Sequence, residues 1–525
     1  MSLKPLGDSA CLIEFHTDSA SLALSGVHGL MHALEKARPH GVLDLVPSFD
    51  SLAAHFGRAE PEEVFTWMNC TMFNGRVPDG EEKVIPVCYD GPDLQEVAEE
   101  AGLTVEEVVK LHSGADYTVA AVGFSPGFPY LLGLPERLHL PRRATPRARV
   151  EAGSVAIGGG QAGIYPSASP GGWHVLGRTG ESLFDPHAPV PALLKPGDRV
   201  RFIPVDAVGK MGKVAAVRRQ VGRAGIEVIH AGGFTTVQDF GRPGYEPSGV
   251  SPGGAADVES MRLANLMVGN DEDAAGLEIC VSGPVLKFRM DTVVALVSGT
   301  GRTRKVAAGE TVDFSRLEHG VRAFLAVAGG IKVPEVLGSL STDVRAGFGG
   351  YEGRALKAGD LLAVGERGEA PSLGDRWVGR PDRRMAIELR FLQGVQYGWF
   401  STEAWRRFQL ETYELTPRSD RMGARLKGAP LELREPREMR SQPVVCGSVQ
   451  VPPDGQPIVL LAERQTIGGY PQIGHVISVD LPKLARAWPG TAVRFREVTL
   501  AEARELRRRQ EQDFKWLRTG LKLLK

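Results

Sequence analysis

Two stretches carry the letters of a serine-nucleophile turn: Gly123-Phe124-Ser125-Pro126-Gly127 and Gly249-Val250-Ser251-Pro252-Gly253. Such a turn lifts a serine hydroxyl onto a strand-to-helix corner, where a histidine can take its proton. Neither context fits. A strand precedes Ser125, but Pro126 and Pro129 block a helix behind it. A helix follows Ser251, but no strand leads into it. Gly158-x-Gly160-x-x-Gly163 has the letters of a dinucleotide fingerprint, yet Ile164-Tyr165-Pro166 runs into turns where the helix should begin. No G-x-x-x-x-G-K-[ST] phosphate loop occurs, and no Met-Lys dipeptide, so covalently attached biotin is not expected.

What remains is a set of polar and aromatic residues on glycine-rich loops. In the first half these are Phe128, Tyr130, Gln161, Tyr165, Trp173, His174 and Arg178. In the second half they are Asp239, Arg242, Asp420, Arg421, Arg464, Gln465 and Tyr470. An arginine offers a bidentate fork and a glutamine both a donor and an acceptor, which suits a small amide or carboxylate. The plain alternative is that Trp173 and Tyr165 cap a barrel end while the arginines pair with nearby carboxylates. His174 stands as a candidate base, although alone it reads as a hydrogen-bonded structural histidine.

The elements that must position these loops follow from length and pattern. A chain of 525 residues suggests about three or four domains. With 42% hydrophobic residues the cores can be filled, so 64 glycines and 36 prolines read as turns between short strands. The net charge of −1 removes bulk attraction to nucleic acid or an anionic membrane, and no apolar run approaches the roughly 18 residues of a span. Five scattered cysteines without a C-x-x-C pair argue against a disulfide framework and a zinc site. With no secretory signal evident at 1–15, the expected compartment is the cytoplasm.

Helices are expected over 21–37, 61–74, 92–101, 104–113, 254–268 and 499–525, and strands over 41–47, 83–89, 117–122, 153–157 and 199–205. The charged run 210–223 lacks an apolar face and reads as a linker. Four patterns recur in the same order in both halves. Thr145-Pro146-Arg147 is echoed by Thr416-Pro417-Arg418, and Val150-x-x-Gly153-Ser154-Val155 by Val444-x-x-Gly447-Ser448-Val449. Gln161 to Tyr165-Pro166 is echoed by Gln465 to Tyr470-Pro471, and Pro196-Gly197-x-x-Val200-Arg201-Phe202 by Pro489-Gly490-x-x-Val493-Arg494-Phe495. A β-domain duplicated at 114–205 and about 385–500 accounts for them.

The same loops carry a family resemblance. Pro126-Gly127-Phe128-Pro129-Tyr130-Leu131, Pro141-Arg142-Arg143, Gly163-Ile164-Tyr165-Pro166 and Pro170-Gly171-Gly172-Trp173 resemble the KipI/PxpB family, allophanate hydrolase subunit 1-like. Asp239-Phe240-Gly241-Arg242, Ser419-Asp420-Arg421-Met422-Gly423 and Gly468-Gly469-Tyr470-Pro471 resemble the KipA/PxpC family, allophanate hydrolase subunit 2-like. Both are similar to the carboxyltransferase region of urea amidolyase, and here they look fused.

The resemblance implies a mainly β fold with α+β parts: an N-terminal α/β domain (1–82), a cyclophilin-like β-barrel (83–208), a linker (209–225), two further cyclophilin-like halves (226–384 and 385–500) and a C-terminal helix (501–525). It implies an ATP-dependent 5-oxoprolinase using ATP and Mg2+, which opens the lactam of 5-oxoproline to L-glutamate with a LamB/YcsF-type partner and is inactive without it. On that reading Arg421, Arg464 or Arg178 holds a carboxylate or phosphate, and Gln161, Gln465 and Tyr470 bind the lactam amide. Asp239 or Asp420 is then a magnesium ligand or proton acceptor. Two rivals stand beside it: a carboxyltransferase acting on urea or a related amide with carboxybiotin from a separate carrier, and a non-enzymatic regulator of a sensor histidine kinase. The resemblance leaves room for a homo-oligomer.

Overall fold

The computed structural model describes residues 1–57, 61–71, 80–209, 224–317, 320–366, 378–379 and 386–524. The expected linker, 209–225, lies almost wholly outside them. Four strands open the chain, β1 (Ser2–Leu6), β2 (Ala10–Glu14), β3 (Val42–Pro47) and β4 (Ser51–Phe56), with helices α1 (Ala20–Glu35) and α2 (Pro61–Cys70). The sheet order is β1-β2-β4-β3 and every pair is antiparallel, so this unit is α+β in the strict sense. The central strands β2 and β4 are buried at nearly every position because both faces of the sheet are covered there, while the edge strand β1 is half-buried. Cys11, Ile13 and Leu52 pack under the helices, while Ala10, Leu12 and Ala53 face the barrels.

Residues 82–204 build the first barrel from β5 (Glu82–Val87), β6 (Tyr117–Val122), β7 (Pro129–Leu132), β8 (Arg147–Val150), β9 (Ser154–Gly158), β10 (Gln161–Ile164), β11 (Ser169–Gly171), β12 (His174–Arg178) and β13 (Arg199–Pro204). Helices α3 (Leu94–Ala101) and α4 (Val105–Ser113) follow β5, and the Thr104–Glu107 capping box sets the start of α4 as its spacing predicts. The ring order is β12-β9-β10-β7-β6-β13-β5, and a bridge between Cys88 and Arg178 brings its ends together.

The next unit holds β14 (Ala224–His230), β15 (Phe234–Gln238), α5 (Val258–Met267), β16 (Gly276–Cys280), β17 (Val285–Phe288), β18 (Thr292–Ser298), β19 (Thr300–Val306), β20 (Thr311–Asp313), β21 (Arg322–Val327), β22 (Ile331–Lys332), β23 (Leu361–Val364) and β24 (Val378–Gly379). These form two sheets, β20-β17-β14-β23-β22 and β15-β16-β21-β18-β19-β24, around one core that includes Ile226, Phe288, Leu277 and Leu325.

The last unit comprises β25 (Ala386–Gln393), α6 (Thr402–Leu410), β26 (Tyr413–Leu415), β27 (Gly423–Lys427), β28 (Gln442–Pro443), β29 (Ser448–Gln450), β30 (Ile458–Leu460), β31 (Ile467–Gly468), β32 (Gln472–Val476), α7 (Leu481–Arg486) and β33 (Ala492–Glu497), before α8 (Leu500–Lys522). Its barrel is closed, in the order β25-β32-β29-β30-β27-β26-β33. No helix among the described residues is long and apolar enough to cross a membrane.

Strand for strand, the first and last rings are the same. Each has one parallel pair, β5–β13 and β25–β33, and antiparallel pairs elsewhere. Two of the four sequence echoes sit at matching positions. Ser154 pairs with Arg178 as Ser448 pairs with His475, and Val200 pairs with Tyr117 as Val493 pairs with Tyr413. Gly153 (φ 82°) and Gly447 (φ 95°) are both left-handed, and a Cβ there would overlap the carbonyl oxygens of Thr179 and Val476.

The other two echoes are corrected by the register. Thr145-Pro146-Arg147 leads into β8, but Thr416-Pro417-Arg418 lies between β26 and β27. Tyr165 follows β10, whereas Tyr470 precedes β32, the place Trp173 takes before β12. Proline and its neighbours recur at turns for local reasons, so these short matches carry no common position.

Candidate functional site

Phe128, Tyr130, Tyr165 and Trp173 come together as one aromatic cluster. Phe128 meets the other three edge-to-face at 5.1, 5.2 and 5.6 Å. All four are buried against Leu12 and Ala53 of the N-terminal sheet and Val445 and Ile467 of the last barrel. Burial pushes the Tyr130 and Tyr165 hydroxyls up to about 12. These residues weld three units together, so the expectation that they touch substrate is replaced by an interdomain core.

Most of the charged candidates are engaged as well. Arg421 is buried and donates to Glu278, to Glu463 (2.6 Å) and to the Gly254 carbonyl (2.6 Å). Arg464 forks onto Glu246 at 3.0 and 3.1 Å, and His55 of β4 approaches the same carboxylate at 3.1 Å. Burial alone would raise Glu246, but Arg464 and His55 outweigh it and hold it down at about 2. Asp44 of β3 accepts the Gly244 and Glu246 amides, so the N-terminal sheet, the 244–246 loop and the last barrel meet at one ionic joint.

Arg242 is buried, donates to the Ser341 carbonyl and stacks on Phe348. Asp239 accepts from the Gly241 and Leu340 amides and the Ser339 and Ser341 hydroxyls, which saturates it as a loop anchor. Asp420 closes its own turn by accepting the Met422 and Gly423 amides. Arg178 pairs with Asp90 on an exposed strand end. None of these lines the large cleft, because each is held by partners brought near by folding.

That cleft, of about 1530 Å³, opens between the two matching barrels. The first contributes the β9–β10 turn (Gly158, Gly159, Gly160, Gln161) and the segment after β7 that carries His139 and Arg142. The last contributes the corresponding β29–β30 turn (451–455), the segment after β27 that carries Arg437 and Arg440, and Tyr470. Like loops from both rings therefore form opposite walls.

Two of the sequence candidates, Gln161 and Tyr470, line this space, one from each barrel. The Gln161 side chain is at the cleft, and its Oε1 is buried without a hydrogen-bond partner among the described residues. Gln465 acts at one remove: it donates to Gln450 (3.2 Å), which donates to the Tyr470 carbonyl (3.3 Å). His174 is buried, and its Nε2 lies 2.9 Å from the Pro141 carbonyl, so it positions the segment bearing Arg142. Arg142 stacks over Trp173 at 5.8 Å. Arg142, His139 and Arg440 were missed as site residues, since their loops carry no spacing pattern. Among the described residues no three His, Cys, Asp or Glu side chains gather as a metal site.

Family models for the carboxyltransferase domain match the chain twice: subdomains C and D over residues 1–194, and subdomains A and B over residues 248–497. The C-type 5-oxoprolinase subunit of Escherichia coli K12 is 39% identical over 306 residues, 56% of this chain and 97% of that protein. The B-type 5-oxoprolinase subunit of Bacillus subtilis is 36% identical over 219 residues, 38% of this chain and 91% of that protein. The chain belongs to the family of 5-oxoprolinase B-type and C-type subunits, with both in one polypeptide.

The crystal structure of TTHA0988, 36% identical with a TM-score of 0.84, covers 93% of this fused B–C chain and 99% of its own. The same four-unit arrangement thus recurs nearly end to end. The K. lactis urea amidolyase structure is 27% identical with a TM-score of 0.52, over 57% of this chain and 20% of that protein. The carboxyltransferase fold is shared with that larger enzyme.

Proposed function

We propose that this chain is the fused B-type and C-type component of an ATP-dependent 5-oxoprolinase, which opens the lactam of 5-oxoproline to L-glutamate with a LamB/YcsF-type partner in the cytoplasm. The observation that carries this reading is that relatives of both subunits lie in one chain whose two matching barrels wall a single cleft. An unstrained lactam is resonance-stabilised, and ATP would supply the activation by phosphorylating the amide oxygen. The Gln161 side-chain amide binds the lactam amide, Tyr470 covers the ring from the last barrel, and Arg142 or Arg440 holds the carboxylate. No residue of this chain is assigned to Mg2+, because Asp239 and Asp420 are engaged by backbone amides. The cleft exceeds the usual range of roughly 300–1,000 Å³ for a small-molecule site, which leaves room for an element of the partner.

The test mixes the purified chain, the partner, ATP and 5-oxoproline and measures glutamate. No glutamate above a partner-alone control overturns the reading. A second reading, carboxyl transfer to urea or a related amide from a separately carried carboxybiotin, is favoured by the likeness to urea amidolyase. Saturable binding of free biotin that is lost on Tyr470→Ala would support it over the first.

A further inference from the structure

The N-terminal unit precedes the first barrel in sequence, yet its buried polar side chains find partners in the second half of the chain. Asp8, at the β1–β2 turn, accepts the Ser478 hydroxyl at 2.7 Å and the Ser478 amide at 3.1 Å. Asp44 accepts the Gly244 amide at 2.7 Å and the Glu246 amide at 3.2 Å, and His55 reaches Glu246 at 3.1 Å. Ser48 donates to the Ser441 carbonyl, and Gln442 donates to Glu14 at 3.2 Å. Asp8, Asp44, Ser48 and His55 are each at most 5% exposed. From α8, Arg504 pairs with Glu62 of α2, and Arg507 donates to the carbonyls of Asp8 and Gly57. Toward the first barrel the unit offers His28, whose Nε2 lies 3.3 Å from the Ala120 carbonyl, and Phe49, edge-on to Tyr130 at 5.9 Å.

Beside these polar contacts lies an apolar centre. Leu6, Leu12, Val46 and Ala53 of the sheet share one cluster with Val445 and Ile467 of the last barrel. An apolar core with polar contacts around it is the layout of an interface between separate chains. Buried, directional bonds that lose their partners on separation make such a surface selective. The other face of the sheet is closed by a core of its own, with Cys11, Ile13 and Leu52 packed against Leu30 and Leu34 of α1, so the unit docks as a preformed block. Ala20, Ser21 and Leu24 of α1 line the large cleft, so the contacts that seat the unit also fix how far apart the two barrel walls stand.

We propose that the N-terminal unit is the recognition element of this chain: it docks the B-type half onto the C-type half in a specific complex that needs no covalent link, and it spaces the barrels across the cleft. The inference concerns assembly and stands whether or not the chain is a 5-oxoprolinase. The full chain, carrying a protease site inserted within 209–225, is cut after folding, and the dissociation constant of the two halves is measured by dilution with a fluorophore on each. The expected constant is tighter than about 1 μM, as for specific complexes of standard size. Ser478→Ala with Arg507→Ala should weaken it at least about tenfold, a loss of about 1.4 kcal/mol. Both side chains bond to the N-terminal unit, so their replacement spares the bonding inside the second half, and the uncut variant should keep its circular dichroism. Phe184→Ala, which removes a first-barrel contact with Phe348 at 5.8 Å, should have a smaller effect than the pair. A constant weaker than about 1 μM, a pair effect below tenfold or no larger than that of Phe184→Ala, or loss of secondary structure in the uncut variant overturns the proposal.

Discussion

Replacing Arg464 with methionine keeps an unbranched apolar stem and removes the guanidinium, leaving the Glu246 carboxylate buried beside His55 alone. The two partners are 5% and 3% exposed, and both contacts of the fork lie near 3 Å. Two unit charges about 4 Å apart at an effective dielectric of 20 attract by about 4 kcal/mol, in line with the roughly 3–5 kcal/mol lost when a buried pair is broken from one side. The chain has several units, so one global unfolding energy is not the right readout. Hydrogen exchange of the Gly244 and Glu246 amides, which Asp44 accepts at the same joint, reports it locally. Their protection should fall by about a hundredfold or more, since about 1.4 kcal/mol is a factor of ten. Adding Glu246→Gln removes the stranded charge and should restore over half of the loss. Because Glu246 is held at about 2, its contribution is present above the ordinary carboxylate value of about 4.3 and lost as pH falls through about 2; the variant should lose it at higher pH. KM for 5-oxoproline should stay within about twofold. A KM raised more than tenfold with unchanged protection would refute the reasoning and return Arg464 to the substrate.

Gln161→Ala and Tyr470→Ala should each raise KM for the lactam about tenfold while stability moves by less than about 0.5 kcal/mol, Tyr470 being 45% exposed; an effect from one wall alone would break the shared-cleft reading. Gly447→Ala forces a Cβ against the Val476 carbonyl at positive φ and should cost about 2 kcal/mol or more in urea unfolding of the last barrel, whereas a neutral result would contradict the strained turn. Asp44 is pushed up to about 6, first by burial and then by the Glu246 charge. Its contribution is therefore full below its ordinary value of about 3.9 and lost as pH rises through about 6. Asp44→Asn should flatten stability between pH 4 and 7, and equal slopes in the two proteins would count against the assignment.

The β elements, the Thr104 capping box and the duplicated barrel were legible because they rest on local chemistry. Alternation, a cap, or a glycine at positive φ before a paired strand each acts within a few residues. That same locality misled where Thr-Pro-Arg and Tyr-Pro recur: turn residues repeat wherever chains turn. The arginines could not be read for a different reason. Arg421 and Arg464 find Glu278 and Glu246 far away in the sequence, and a guanidinium looks the same whether it awaits a substrate or is already neutralised. The four aromatics were seen as a group, but only the sheet packed on them shows that they are core.

Composition, periodicity and motif order by themselves determined a turn-rich β protein and a repeated barrel, and the loop motifs carried a family resemblance, since these depend on residue types along one strand or turn at a time. Which candidates face open space was decided only by the tertiary structure. Gln161 and Tyr470 share a cleft because docking of the units consumed the hydrogen-bonding capacity of their neighbours and left these two side chains with room beside them.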